Sequence, residues 1–179
     1  MRVLFIGNSH TYFNNMPDLM AGLFRQESIE CDVTMIAHGK WTLLRHTEEP
    51  EVKFNILYGH YDYVVLQEYG QPFQKEETYF ASVRKLNKLI QKAGSRPVIY
   101  MTWAKKTAPE YQDRMNAAGR SIASEIGALL APVGEYWWDY SKAHPELDMY
   151  YVDGGHASIH GSRLAAKVLH DTIKADMDS

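Results

Sequence analysis

A serine, a histidine and an aspartate stand where the chain could bring them together for nucleophilic catalysis. Ser9 lies two residues beyond the short apolar run 2–7, and a hydroxyl is a weak nucleophile until a neighbouring base takes its proton. Near the other end of the chain, only two glycines separate Asp153 from His156. In a tight turn the carboxylate can reach one imidazole nitrogen and leave the other free as a base. The pattern predicts acyl transfer through a Ser-His-Asp triad.

Each of these residues also has an ordinary structural interpretation. Asn-Ser is common turn chemistry, so Ser9 can serve as a turn or helix-capping residue. Asp-Gly-Gly is typical of loops, and the segment 156–160 can cap the helix that follows it. His156 and His160 have the i, i+4 spacing of metal ligands, although no glutamate completes a zinc-protease motif and no cysteine cluster accompanies them. Local sequence leaves these alternatives open.

Acyl transfer also needs hydrogen-bond donors for the negative charge that develops on the carbonyl oxygen. Gly39 follows the second apolar run, and no Cβ shields its N–H from a substrate. Gln67 and Gln71 lie at the end of the third run, where either side-chain amide could donate. Each has a plainer interpretation, as a turn glycine or a surface polar residue, but together they fall at successive strand ends.

The elements that must position these residues alternate along the chain. Apolar runs predict five strands, and amphipathic segments bounded by proline, glycine or charge predict four helices. This alternation favours a three-layer α/β fold with a parallel sheet. Ligands of such sheets bind outside the carboxyl ends of the strands, where the candidate residues lie. The predicted strands are 2–7, 31–39, 62–68, 96–104 and 127–134, and the predicted helices are 16–28, 75–94, 108–127 and 160–175.

Composition narrows the class of protein. The 179 residues suit a single domain, 1–179, with a substantial core. A formal net charge of −3 gives no electrostatic reason to expect nucleic acid or an anionic membrane as a partner. Cys31 is the only cysteine, which fits a reducing compartment. We therefore expect a cytoplasmic protein with no membrane span.

The ordered motifs resemble the SGNH/GDSL hydrolase superfamily, in particular the branch whose first block reads Gly-Asn-Ser. They run from about residue 7 to about residue 166. The resemblance implies a flavodoxin-like α/β/α sandwich with a five-stranded parallel sheet. It also implies ester hydrolysis without a metal or other cofactor, with Ser9 as nucleophile and its amide, with that of Gly39, in the oxyanion hole. Asp153 and His156 match the family's Asp-x-x-His block.

The third block departs from the family pattern. Its usual Gly-x-Asn-Asp, whose Asn donates to the oxyanion, is replaced here by residues 68–72, EYGQP. Gln71 falls where that Asn should stand, and its primary amide can donate from one methylene further out. Some carbohydrate-acetyl esterases of the superfamily carry a Gln at the position of Gln67. We expect Gln71 rather than Gln67 to be the side-chain donor.

The expected substrate is a small ester, most simply an O-acetyl group on a carbohydrate. His10, Trp41 and Trp103 are candidate substrate contacts. Trp41, Trp103 and the pair 137–138 lie just beyond predicted strand ends or in loops, where aromatic rings can stack on a sugar or line an acyl pocket. Each has core packing or a solvated turn as its alternative. A thioesterase or lysophospholipase with the same triad is the second interpretation. A non-catalytic sugar- or acyl-binding module is the third, although such a module would be expected to have lost a triad member.

Overall fold

Five parallel strands form the sheet that positions the site. A computed structural model describes residues 1–68, 70 and 76–179. The strand order is β2-β1-β3-β4-β5, and every neighbouring pair is parallel. This is the flavodoxin-like order, so the predicted fold class is confirmed. The strands are β1 (Arg2–Gly7), β2 (Asp32–Ala37), β3 (Tyr63–Leu66), β4 (Arg96–Tyr100) and β5 (Leu129–Ala131), each within its predicted range.

The four predicted helices are present with ends shifted by up to four residues. Helices α5 and α6 stop at Gly94 and Gly127, whose φ angles of 75° and 64° suit glycine. Further helices form that the periodicity did not predict, since they are short or weakly amphipathic. The helices are α1 (Ser9–Tyr12), α2 (Met16–Gln26), α3 (Leu43–His46), α4 (Pro50–Tyr58), α5 (Glu76–Ala93), α6 (Gln112–Ile126), α7 (Val133–Ala143) and α8 (Ile159–Met177), with 3-10 turns at Phe13–Asn15 and Pro109–Tyr111.

The sheet separates two hydrophobic cores. Strand side chains alternate between its faces, so Val3 and Phe5 join one core while Leu4 and Ile6 join the other. Helices α2, α7 and α8 cover the first face, and α3 to α6 cover the second. Strands buried on both faces explain the continuous apolar runs in the sequence. Among the described residues, no helix is long and apolar enough to cross a bilayer.

The carboxyl ends of β1, β2 and β3 meet at one edge of the sheet. Gly7 pairs with Ala37 across the β1–β2 ladder, and the N–H of Gln67 donates to the carbonyl of Ile6 at 2.9 Å, which extends the β1–β3 ladder. The chain connections diverge between β1 and β3, which creates the crevice where ligands of doubly wound sheets bind. Ser9 follows β1 directly into this crevice.

Candidate active site

Ser9, His156 and Asp153 form a continuous hydrogen-bonded chain. The Nε2 of His156 lies 2.7 Å from the Oγ of Ser9, and its Nδ1 lies 2.5 Å from the Oδ2 of Asp153. With the Nδ1–H donating to the carboxylate, Nε2 is left as the acceptor for the serine proton. Ser9 is the first residue of α1, and 147 residues separate it from His156 along the chain. The fold thus brings the two distant motifs into the geometry that nucleophilic catalysis requires.

The turn that carries Asp153 and His156 fixes the carboxylate. Its Oδ1 accepts from the backbone N–H groups of Gly155 and His156, both at 2.9 Å. Burial alone would raise the pKa of Asp153, but the hydrogen bond from the His156 ring and the two from backbone amides outweigh it and lower this pKa to about 2. Gly154 has a φ of 67°, which an L side chain rarely adopts. The turn therefore holds a carboxylate that is ionised at neutral pH against the imidazole.

Trp103 supports this turn from the core. Its Nε1 donates to the carbonyl of Gly155 at 2.9 Å, and its ring stacks on Trp137 with centroids 3.9 Å apart. Both indoles are fully buried. The expectation that Trp103 contacts substrate is therefore wrong, because the strand end carries this side chain into the core. Trp137 and Trp138 lie on α7, which begins directly after β5.

The nucleophile turn is held by Gln67. Its Oε1 accepts from the backbone N–H of Asn8 and from the hydroxyl of Thr11, each at 2.9 Å. All three residues are fully buried. A Cβ on Gly7 would overlap Thr11 Oγ1 and lie 2.6 Å from Gln67 Oε1, so this close approach requires glycine. The last residue of β1 is a glycine because the Gln67 side chain occupies the space that a Cβ would need.

The amide nitrogen of Gln67 donates one of its two hydrogens to the carbonyl of Glu68, and the whole side chain is inaccessible to solvent. Its Oε1 and one amide hydrogen thus link β1 to β3, and the hypothesis that Gln67 is the alternative oxyanion donor stays a prediction. Gln71, the preferred donor, lies outside the described residues.

The second predicted amide donor lies on the loop after β2. Gly39 is exposed, and a Cβ there would lie 3.3 Å from the hydroxyl of Tyr12, at the end of α1. The Nδ2 of Asn8 donates to the carbonyl of Trp41 at 3.0 Å, which ties this loop to the nucleophile turn. The half-buried Trp41 ring lies under the guanidinium of Arg45, 4.0 Å from its centroid. Trp41 therefore stays a candidate substrate contact.

His10 lies beneath the imidazole of His156 and not in a solvated turn. Its ring centroid is 5.2 Å from those of both His156 and Trp103, and the residue is only 6% exposed. Neither ring nitrogen makes a hydrogen bond of good geometry with the described residues, although the carbonyl of Gly155 is near enough to oppose the lowering of the His10 pKa. Burial, and then the neighbouring His156, lower the pKa of His10 to about 4. The predicted substrate contact is wrong, because this neutral ring is buried.

Asn14 connects the nucleophile segment to the base segment, a role that the sequence did not predict. Its Nδ2 donates to the carbonyl of Ala157 at 3.1 Å and to the hydroxyl of Ser162 at 2.9 Å. That hydroxyl in turn donates to the carbonyl of Phe13. Asn14 adopts a left-handed conformation with φ 54°, which asparagine tolerates better than most residues. The adjacent asparagines at 14 and 15 were the sequence signal for this turn.

The metal-site alternative is not supported by the placement of its histidines. Both ring nitrogens of His156 are occupied by Ser9 and Asp153. Across residues 1–68, 70 and 76–179, no three His, Cys, Asp or Glu side chains converge in a way that could hold a metal ion. The described residues therefore give the alternative interpretation of His156 and His160 as metal ligands no converging ligand set.

Comparisons with known proteins agree with this fold. No family profile matches the sequence, and no curated protein matches it. Among solved structures, a carbohydrate esterase of family 3 from Talaromyces cellulolyticus is 12% identical, with a TM-score of 0.77 over 100% of this chain and 99% of that chain. A candidate GDSL-like lipase from Parabacteroides merdae is 15% identical, with a TM-score of 0.74 over 97% and 95% of the two chains.

An acetylxylan esterase from Geobacillus stearothermophilus is 16% identical to the chain. Its TM-score is 0.72 over 96% of this chain and 93% of that chain. At such identities the likeness establishes the fold. The α/β/α architecture that the sequence resemblance implies is thus confirmed.

Proposed function

We propose that the protein is a serine esterase that removes small acyl groups, most simply O-acetyl groups from a carbohydrate. The observation that carries the proposal is the Ser9–His156–Asp153 chain, with its contacts of 2.7 and 2.5 Å. A nucleophile, a base within hydrogen-bond reach and a group that orients the base are the parts that acyl transfer needs.

The reaction proceeds in two steps through an acyl-enzyme. His156 Nε2 takes the proton of the Ser9 hydroxyl as Oγ attacks the ester carbonyl carbon. The tetrahedral intermediate collapses when the bond to the alcohol oxygen breaks, and that oxygen takes the proton from His156. His156 Nε2 then takes a proton from water as the water oxygen attacks the acyl carbon. The bond from that carbon to Ser9 Oγ breaks, Oγ takes the proton back from His156, and the carboxylic acid is released. Asp153 stays ionised and stabilises the imidazolium in both steps.

The oxyanion hole in this proposal combines backbone and side-chain donors. Asn8, which precedes Ser9, donates to the carbonyl of Trp41 on the loop that carries Gly39, and this contact supports a fixed spacing between the N–H groups of Ser9 and Gly39. Gln71 is the proposed third donor, on the basis of its register in the sequence. Backbone donors on tied loops need no reorganisation during the reaction, which favours transition-state stabilisation.

The proposed substrate class rests on the neighbouring folds and on one aromatic side chain. An acetylxylan esterase and a carbohydrate esterase share the fold, and half-buried Trp41 lies beside the proposed oxyanion loop. We propose an acylated carbohydrate or other small ester as the substrate, no cofactor, and a cytoplasmic location, which the lone cysteine at position 31 supports.

Turnover of p-nitrophenyl acetate, butyrate and octanoate tests the reaction and the acyl length. We expect acetate hydrolysis by the wild-type protein and its loss in Ser9→Ala. The matched control is Ser124→Ala, which changes an exposed serine on α6 and should retain activity. Labelling with a fluorophosphonate, followed by peptide mapping, should place the adduct on Ser9.

The outcomes separate the three interpretations. A higher kcat/KM for the octanoate ester than for the acetate ester would favour the thioesterase or lysophospholipase interpretation. No turnover and no adduct on Ser9 would contradict the esterase proposal and favour a binding module. Equal turnover in wild type and Ser9→Ala would show that the hydrolysis does not use this serine.

A further inference from the structure

Two aromatic side chains lie beside the catalytic imidazole without being part of the core. The Phe13 ring stacks on His156 with centroids 4.2 Å apart and an interplanar angle of 10°. The rings of Tyr151 and Phe13 make a T-shaped contact, with centroids 5.5 Å apart and an interplanar angle of 71°. Tyr151 is 49% exposed, and its neighbour Val152 is 92% exposed. We call Phe13 and Tyr151 the aromatic pair.

The backbone of the aromatic pair is fixed to the catalytic elements. The N–H of Tyr151 donates to the carbonyl of His156 at 2.8 Å, and its carbonyl accepts from Gly154 at 2.9 Å. Phe13 directly follows α1, and its carbonyl accepts from Ser162. These hydrogen bonds explain the position of the Tyr151 backbone. They do not explain why its ring is exposed. Exposed aromatic surface next to a reactive group is typical of a binding site.

The chemistry of the leaving group places it near this pair. The alcohol oxygen must come within hydrogen-bond reach of His156 Nε2 to receive the proton. The group attached to that oxygen therefore lies beside the imidazole, on which Phe13 already stacks. Since Tyr151 in turn contacts Phe13, a ring on the alcohol has an aromatic surface within reach.

We propose that the aromatic pair binds the alcohol portion of the substrate and selects alcohols that carry a ring with an apolar face, such as a pyranose. Axial C–H groups give a sugar ring such a face, and aromatic rings pack well against it. The inference rests on the proposed esterase function and adds which side chains choose the alcohol. It makes Tyr151 a specificity-determining residue and assigns it no part in proton transfer.

The test compares two acetate esters that differ only in the alcohol: methyl acetate and a mono-O-acetylated methyl xyloside. In Tyr151→Ala we expect the ratio of kcat/KM for the sugar ester to kcat/KM for methyl acetate to fall about tenfold, the size of one aromatic contact. Tyr151→Phe should keep the wild-type ratio. The matched control is Tyr136→Ala, which removes a 54% exposed tyrosine on α7 and should leave both rates unchanged.

An unchanged ratio in Tyr151→Ala would overturn the proposal, as would an equal loss on both esters. A fall in Tyr151→Phe equal to that in Tyr151→Ala would also overturn it, because the hydroxyl and not the ring would then carry the effect.

Binding of methyl xyloside to Ser9→Ala protein gives a readout that does not depend on turnover. Saturation-transfer NMR should detect the sugar, and the added Tyr151→Ala change should remove the signal. If the wild-type protein hydrolyses no ester, the proposed function fails, while this titration still decides whether the aromatic pair binds a sugar. Absence of any sugar signal in the Ser9→Ala protein would overturn the inference by itself.

Discussion

Replacing Gln67 with methionine separates a structural role of this side chain from a role in the oxyanion hole. Gln67 Oε1 accepts from the N–H of Asn8 and from the hydroxyl of Thr11, and all of these atoms are buried. Methionine has a similar volume, so the change leaves little cavity. It does leave two buried donors without their acceptor.

The expected destabilisation follows from those two donors. A buried polar group that loses its partner costs about 1–3 kcal/mol. The hydroxyl of Thr11 can rotate toward another acceptor, whereas the N–H of Asn8 is fixed by the backbone, so we expect a total of about 3 kcal/mol. For a chain of this size, that corresponds to a fall in Tm of roughly 6–12 °C.

Urea unfolding followed by circular dichroism measures this loss. The matched control is Gln91→Met, at an exposed position on α5, which should change the free energy of unfolding by less than about 0.5 kcal/mol. Turnover of p-nitrophenyl acetate is measured on the same samples. Destabilisation below about 1 kcal/mol, together with a roughly 100-fold fall in kcat, would refute the structural role and identify an oxyanion donor.

Two further changes test the electrostatics of the site. Burial, and then His156, lower the pKa of His10 from 6.5 to about 4. Between these two pH values the unfolded state binds more protons than the folded state, so the free energy of unfolding falls as the pH decreases from 6.5 to about 4. His10→Gln should flatten this slope by up to about 1.4 kcal/mol per pH unit in urea titrations, and an unchanged slope would contradict a neutral buried ring. Asp153→Asn should lower kcat on p-nitrophenyl acetate roughly 10³- to 10⁴-fold, because the Asn amide would donate to Nδ1 and force the proton onto Nε2. A loss of less than about tenfold would show that Asp153 does not orient the base.

Local sequence was sufficient for the parts of the fold that depend on short-range patterns. Apolar runs gave the five strands, because strands covered on both faces have no polar side. Glycines after α5 and α6 marked their ends, because a left-handed residue stops a helix. The same reasoning could not find α3 and α4, which gain their stability from packing on the second core, or α7, whose tryptophans looked like loop residues.

The candidate site divides in the same way. The motif residues Ser9, Asp153 and His156 are visible in the sequence because their types and local spacing suit one reaction. Gln67 shows what local sequence cannot predict. An amide at a strand end suggests a hydrogen-bond donor for a substrate, and only the packing beside Gly7 shows that this side chain joins two strands. Trp103 is likewise a candidate substrate contact by sequence, and only its stacking on Trp137 shows that the ring belongs to the core.

The sequence by itself determined the order of elements, the parallel sheet and the residue types at its carboxyl edge, because periodicity and turn chemistry act over a few residues. Only the tertiary structure decided which of those residues touch. Contacts such as Ser9 with His156, or Asn14 with Ser162, join segments more than 140 residues apart. Such contacts depend on how helices pack on the two faces of the sheet, and no local pattern encodes the direction in which a buried side chain then points.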